Sequence, residues 1–278
     1  VTIVRVVRVL MPISSAEPQV RGWCYVNDGP VPLRCWWAPK GVETGAVGRA
    51  ARNRNETESY QERKRAVLVL PEVFGVNAWV RSVADRIAAT GVPALAMPLF
   101  ARTAPELDLS YGEMQLAEGR GHKIATTAAA LLADGTAAIS WLRRQLNDPQ
   151  AEITVVGFCF GGHVALLMAS LPEVTRTFDF YGAGVVQGRP GGGAPTLDSL
   201  PQVQGELTCL FGLDDPLIPK VDRDAIESAL RQADPSGARL RCVSFPDADH
   251  GFMCDARAAY QPEAAAQGWQ VLLEALRR

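Results

Sequence analysis

The chain has 278 residues, 47% of them hydrophobic and 21% charged, with 28 Lys and Arg against 30 Asp and Glu. That length supplies the core of one large α/β domain, and the balanced charge excludes a strongly basic nucleic-acid surface or an acidic tail as the main business. No apolar run reaches the roughly 18 residues of a membrane span, so neither nucleic acid nor membrane is an expected partner.

Residues 1–39 carry short β-rich pieces: Ile3 to Leu10, then Arg21 to Val26 and Leu33 to Trp37, the last two split by Asn27-Asp28-Gly29-Pro30 and reading as a hairpin. The charges scattered through VTIVRVVRVL make a poor signal peptide. Six cysteines (24, 35, 159, 209, 242 and 254) contain no C-x-x-C pair. A reducing, cytoplasmic setting without disulfides or structural zinc is therefore expected. Residues 40–65, rich in Gly, Arg, Asn and Glu, read as a polar, mobile surface insertion.

From 66 to 278 apolar strands alternate with helices. Ala66 to Leu70 is a continuous apolar run suited to a strand covered on both faces. Ala78 to Thr90 has helical period, with Trp79, Val83 and Ile87 on one face and Gly91 ending it. Val92 to Met97, Ile153 to Gly157, Thr177 to Tyr181, Leu207 to Phe211 and Leu240 to Phe245 read as further strands. Ala128 to Leu146, Gly162 to Ser170, Asp222 to Gln232 and Pro262 to Leu276 read as helices. His122 reads as a loop residue after Gly-Arg-Gly. The alternation predicts a single domain with a mostly parallel sheet flanked by helices.

Between a strand and a helix stands Gly157-Phe158-Cys159-Phe160-Gly161-Gly162. A G-x-nucleophile-x-G turn projects one side chain from a sharp bend, and its glycines prevent collisions there. The amides opening the next helix favour a thiolate and offer donors to an oxyanion. Such a nucleophile needs a base and the base an orienting acid. Asp214 and Asp215 follow one later strand and His250 follows the next, all at the ligand-binding edge of an open α/β sheet. Spacing does not choose between Asp214 and Asp215, and Asp249 is a minor third candidate. Glu72 ends the first parallel strand as either a second acid or the cap of a helix starting near Asn77. The amides of Val73 and Phe160 are candidate oxyanion donors. His163, one helical turn past Cys159, suits packing better than metal binding, and no cofactor or metal is called for.

These segments together resemble the dienelactone hydrolase family of the α/β-hydrolases. Pro-Glu72-Val-Phe-Gly-Val-Asn, the cysteine turn, Phe180-Tyr181-Gly182, Gly-Leu-Asp-Asp215-Pro-Leu-Ile-Pro219 and Asp-His250-Gly-Phe stand in the family's order. The resemblance implies an α/β-hydrolase fold with Cys159 as nucleophile, His250 as base, Asp215 as its acid and Glu72 as an aid to thiol deprotonation. It also places Phe100, Arg102 and Tyr181 in the substrate pocket. It departs where the family holds a substrate carboxylate with two arginines: one position is Cys254, and the other lacks an arginine, with Arg120 and Lys123 the nearest cations. Arg102, Arg120 and Arg257 are candidate replacements. The expected function is hydrolysis of a small ester or lactone through a cysteine thioester, by a monomer or weak homo-oligomer. The alternatives are a broad carboxylesterase or thioesterase, a non-catalytic small-ligand binder, or a redox protein pairing Cys159 with Cys254.

Overall fold

A computed structural model of the protein describes residues 20–41 and 63–278. The strand expected at Ile3 to Leu10 and most of the 40–65 insertion lie outside the described residues. Eight strands form one sheet: β1 (Gly22–Val26), β2 (Leu33–Ala38), β3 (Arg65–Leu70), β4 (Ala94–Ala96), β5 (Glu152–Phe158), β6 (Val174–Phe180), β7 (Glu206–Gly212) and β8 (Leu240–Phe245). Their order is β1-β2-β4-β3-β5-β6-β7-β8. The expected hairpin forms, β1 and β2 being antiparallel, and β2 also runs antiparallel to β4. Every other pairing is parallel, so the mixed α/β architecture follows the reading from sequence.

The central strands are buried along most of their length because both faces are covered. In β3, Val67 and Val69 enter one core cluster while Ala66, Leu68 and Leu70 enter the other, the period-2 alternation of a pleated strand. Helices α1 (Ala78–Ala88) and α6 (Pro262–Leu276) cover the first face with Trp79, Val83, Trp269 and Leu272. Helix α3 (Ala128–Gln145) covers the second with Leu131, Trp141 and Leu142. Helices α4 (Phe160–Met168) and α5 (Lys220–Ala233) complete the expected set. None of the described helices is long and apolar enough to cross a membrane.

Two elements were not anticipated. One is a 3-10 helix, Thr196–Gln202. The other is α2 (Glu113–Ile124), which places His122 in a helix rather than a loop. Its glycines disguise it, since Gly is about 1 kcal/mol poorer than Ala inside a helix. Gly119 is there for contact: a Cβ at this position would collide with the Val73 carbonyl.

After β3 the chain turns outward to β4, and it returns on the other side of β3 as β5. That reversal opens a crevice at the carboxyl ends of β3 and β5, the usual ligand position in open α/β sheets. Register then aligns the loops. Leu70 lies opposite Gly157, and Phe158 opposite Phe180, so Glu72, Cys159 and Tyr181 emerge at one level.

Leu68 is fully buried between these layers. Leu68→Ala is expected to lower unfolding free energy by about 2–5 kcal/mol, measured by urea denaturation, with the slope against urea unchanged.

Candidate active site

β5 passes into α4 through Cys159, whose backbone is held at φ 55° and ψ −118°. A non-glycine residue in that region stores about 1–3 kcal/mol of strain, so its neighbours must fix it. The Cys159 N–H donates to the Phe180 carbonyl at 3.0 Å, and its own carbonyl accepts from His163 N–H at 3.1 Å. The flanking glycines are steric requirements. A Cβ on Gly157 would strike the Gly161 carbonyl, and one on Gly161 would strike the Leu70 carbonyl at the end of β3. Phe160 opens α4, so its amide has no acceptor within the helix.

His250 follows β8, and its Nδ1 lies 2.8 Å from Asp215 Oδ2. The other Asp215 oxygen accepts from Leu217 N–H at 2.8 Å. Asp214 is exposed, so burial and orientation select Asp215. Asp249 accepts from the His250 backbone N–H at 2.5 Å instead of meeting the ring. With Nδ1 committed, Nε2 is buried and has no hydrogen-bond partner. Burial disfavours charge on this ring, but the Cys159 thiolate and the Asp215 hydrogen bond outweigh it and lift its pKa to about 10. At that value the ring is an imidazolium at neutral pH, beside Cys159.

Glu72 is fully buried, and its Oε1 accepts from Arg257 at 2.7 Å. It does not cap α1: Asn77 does, accepting from Val80 N–H at 3.1 Å. Burial works against charge on Arg257, and Glu72 more than offsets it. Around Glu72 lie Tyr111, Tyr181 and Cys254, each made a weaker acid first by burial and then by the Glu72 charge. The Cys254 thiol is pushed up to about 12, which leaves it protonated. All six cysteines are free, and nothing here joins Cys254 to Cys159.

Cys159 and His250 open onto a cavity of about 470 Å³ whose wall includes Val73, Phe160 and three cations: Arg120 and Lys123 from α2, and Arg257. Among the described residues the one carboxylate on its wall is Asp222, to which Gln187 Nε2 donates at 2.5 Å. Of the residues expected in the pocket, Arg120, a candidate replacement cation, lines it. Phe100 is buried behind the wall, stacked on Phe160 at 5.8 Å. Arg102 makes two bonds to Asp134, at 2.6 and 3.0 Å, and so braces α3. Tyr181 lies beneath, its ring edge-on to His250 at 5.2 Å, and Cys254 is likewise fully buried.

Arg257, one of the candidate replacement cations, is the one that reaches Glu72. The cation position of the family is a cysteine here, and a guanidinium three residues further along reaches Glu72 because the chain turns repeatedly between Gly251 and Tyr260. His163 serves packing, as expected: its ring nitrogens meet Ala183 O at 3.0 Å and Thr196 Oγ1 at 2.7 Å. Burial lowers its pKa to about 4, so it stays neutral. Among the described residues no cluster of His, Cys, Asp and Glu suits a metal ion.

Because Asp215 and the thiolate both raise the His250 pKa, Asp215→Asn is expected to move the ring's titration midpoint down from about 10, read by NMR of the imidazole protons. The sign for stability follows. A raised histidine pKa stabilises the fold fully below the unfolded value near 6.5, and that contribution is lost as pH rises through about 10.

The sequence profile of the dienelactone hydrolase family matches residues 54–278. A Synechocystis protein assigned as a carboxymethylenebutenolidase is 40% identical over 204 residues, covering 73% of this chain and 82% of its own. A Bradyrhizobium protein assigned as a 2-oxo-3-(5-oxofuran-2-ylidene)propanoate lactonase is 30% identical, over 76% of this chain and 83% of its own. The solved structure of a protein from Klebsiella pneumoniae assigned as a dienelactone hydrolase superposes with a TM-score of 0.74 at 26% identity, covering 92% of this chain and 97% of that one.

Proposed function

Given that the chain belongs to the dienelactone hydrolase family and is thereby an ester or lactone hydrolase, we propose that it cleaves a small ester or lactone bearing a carboxylate, through a thioester on Cys159. One observation carries this reading: a histidine fixed through Nδ1 on Asp215, with Nε2 uncommitted, shares a single cavity with Cys159 and three cations.

The Cys159 thiolate adds to the acyl carbonyl, and the carbonyl electron pair moves to oxygen. The amides of Val73 and Phe160 receive that oxyanion, each such donor being worth about 3 kcal/mol in the transition state. Collapse expels the alkoxide or enolate, which takes the proton from His250 Nε2, and the thioester remains. Water then adds to the thioester while giving a proton to the now neutral Nε2. Thiolate departs, and the thiolate–imidazolium pair is restored. Thiolate is itself a good leaving group, so productive substrates are those whose alcohol leaves at least as readily, such as enol lactones.

Arg257 offers the substrate carboxylate a planar, two-pronged partner, and Arg120 and Lys123 add positive potential across the cavity. Glu72 holds Arg257 at the wall until a substrate carboxylate competes for it. The Glu72 carboxylate so released is the second base available to a protonated Cys159. The Bradyrhizobium relative's name specifies a lactone that carries a propanoate, in keeping with an anionic substrate.

Turnover of a carboxylated enol lactone, its methyl ester and p-nitrophenyl acetate tests the reading. Cys159→Ala is expected to lose at least about 10³-fold in kcat on all three, and intact-mass spectra of wild type should trap an acyl adduct at Cys159. Activity that survives Cys159→Ala overturns the mechanism. Arg257→Ala is expected to raise KM for the carboxylated lactone by about 10- to 100-fold, the worth of a charge-assisted hydrogen bond, with the methyl ester changing by less than about threefold. Equal losses on both substrates overturn the carboxylate assignment.

A further inference from the structure

One buried carboxylate has no part in the steps above. Asp179, next to the last residue of β6, has no exposed surface. Its Oδ1 accepts from Gly182 N–H at 2.8 Å, while Oδ2 is buried with no partner. An asparagine would make the same bond without bringing a charge into the core. Burying a carboxylate with no direct counter-ion is costly, so the fold alone gives no reason for an acid here.

Its neighbours supply one. In register Asp179 stands between Gly157 of β5 and Cys209 of β7. A Cβ on Gly162, in the first turn of α4, or on Gly182 would collide with Asp179 Oδ1. The carboxylate is thus wedged between the nucleophile helix and the turn after β6. That turn meets the Cys159 backbone and the His250 ring. Phe180 O accepts the Cys159 amide at 3.0 Å, and Tyr181, forced to φ 44°, lays its ring edge on His250. The titratable groups facing Asp179 are His250, from the turn after β8, and Cys209 on β7. β5 and α4 present glycines to it, and the Cys242 hydrogen bond together with burial raises the Cys209 thiol well above its ordinary value.

We propose that Asp179 is a positioning residue for this site: its carboxylate locks the Tyr181–Gly182 turn against Cys159 and His250, and its negative charge supports the imidazolium. The proposal rests on His250 acting as the base and is independent of the substrate. Burial lifts the Asp179 pKa to about 7, against the opposing pull of Gly182 N–H and His250. Asp179 is therefore neutral in mild acid and charged in mild base, and its support for His250 appears only as pH rises through neutrality.

Asp179→Asn keeps an oxygen for Gly182 N–H and removes the charge. Its kcat is expected to match wild type near about pH 5.5, where the native carboxyl is protonated, and to fall roughly fivefold below it near about pH 8.5, with KM unchanged. The NMR titration midpoint of His250 is expected to shift down in the same variant. Asp179→Ser, another uncharged acceptor, is expected to reproduce both effects. Asp179→Ala, which frees the turn, is expected to lose up to about 10²-fold in kcat at every pH. A wild-type to Asp179→Asn ratio that does not vary with pH, or an unmoved His250 midpoint, overturns the proposal. The His250 titration needs no substrate, so it tests Asp179 even if no ester is hydrolysed.

Discussion

The close contact of four backbone segments at the carboxyl edge of the sheet governs the rest of the molecule. Gly157 and Gly161 face one another across the bend from β5 to α4, and Gly161 sits against the last carbonyl of β3. Only with both Cβ atoms missing can α4 start so near the strand ends. That proximity puts Cys159 into a left-handed conformation, its amide held by Phe180 of β6. Strain of this kind persists when surrounding structure over-determines it. Here the over-determination comes from the parallel register of β3, β5 and β6, which rests on the apolar layers covering both faces.

Charge placement at this edge departs from what stability alone favours. Glu72 with Arg257, Asp215 with His250, and Asp179 bring three carboxylates into a largely dry interior. Desolvation of a buried ion pair often cancels the attraction it gains. The first two pairs flank one cavity and present a cation and a proton carrier to whatever occupies it. Glu72 is thus paired with Arg257, and His250 with Asp215. Three cations, one of them paired with Glu72, and one carboxylate, Asp222, stand among the described residues of the cavity wall.

α2 links the two features. It contributes Arg120, Lys123 and Leu116 to the cavity, and it approaches the Val73 loop closely because residue 119 is a glycine. Movement of α2 would therefore shift its cations and the Val73 loop together.

The sequence by itself determined the strand and helix succession, the cysteine bend and the acid and histidine loops, because each is encoded locally. Apolar runs of five or six residues set the buried strands, a period of four set α1, and glycines at fixed offsets set the turn at Cys159. It left Asp214 and Asp215 open, since adjacent residues in a loop differ only in direction. It also hid α2, whose glycines answer to a neighbour rather than to helix propensity. Only the tertiary structure turned Arg102 away to Asp134, sank Tyr181 and Cys254 below the cavity, and brought Arg257 to Glu72 across 185 residues. It alone wedged Asp179 between α4 and the Tyr181–Gly182 turn. Those outcomes depend on which side chains share a desolvated space, and that is fixed by strand register and helix packing rather than by spacing along the chain.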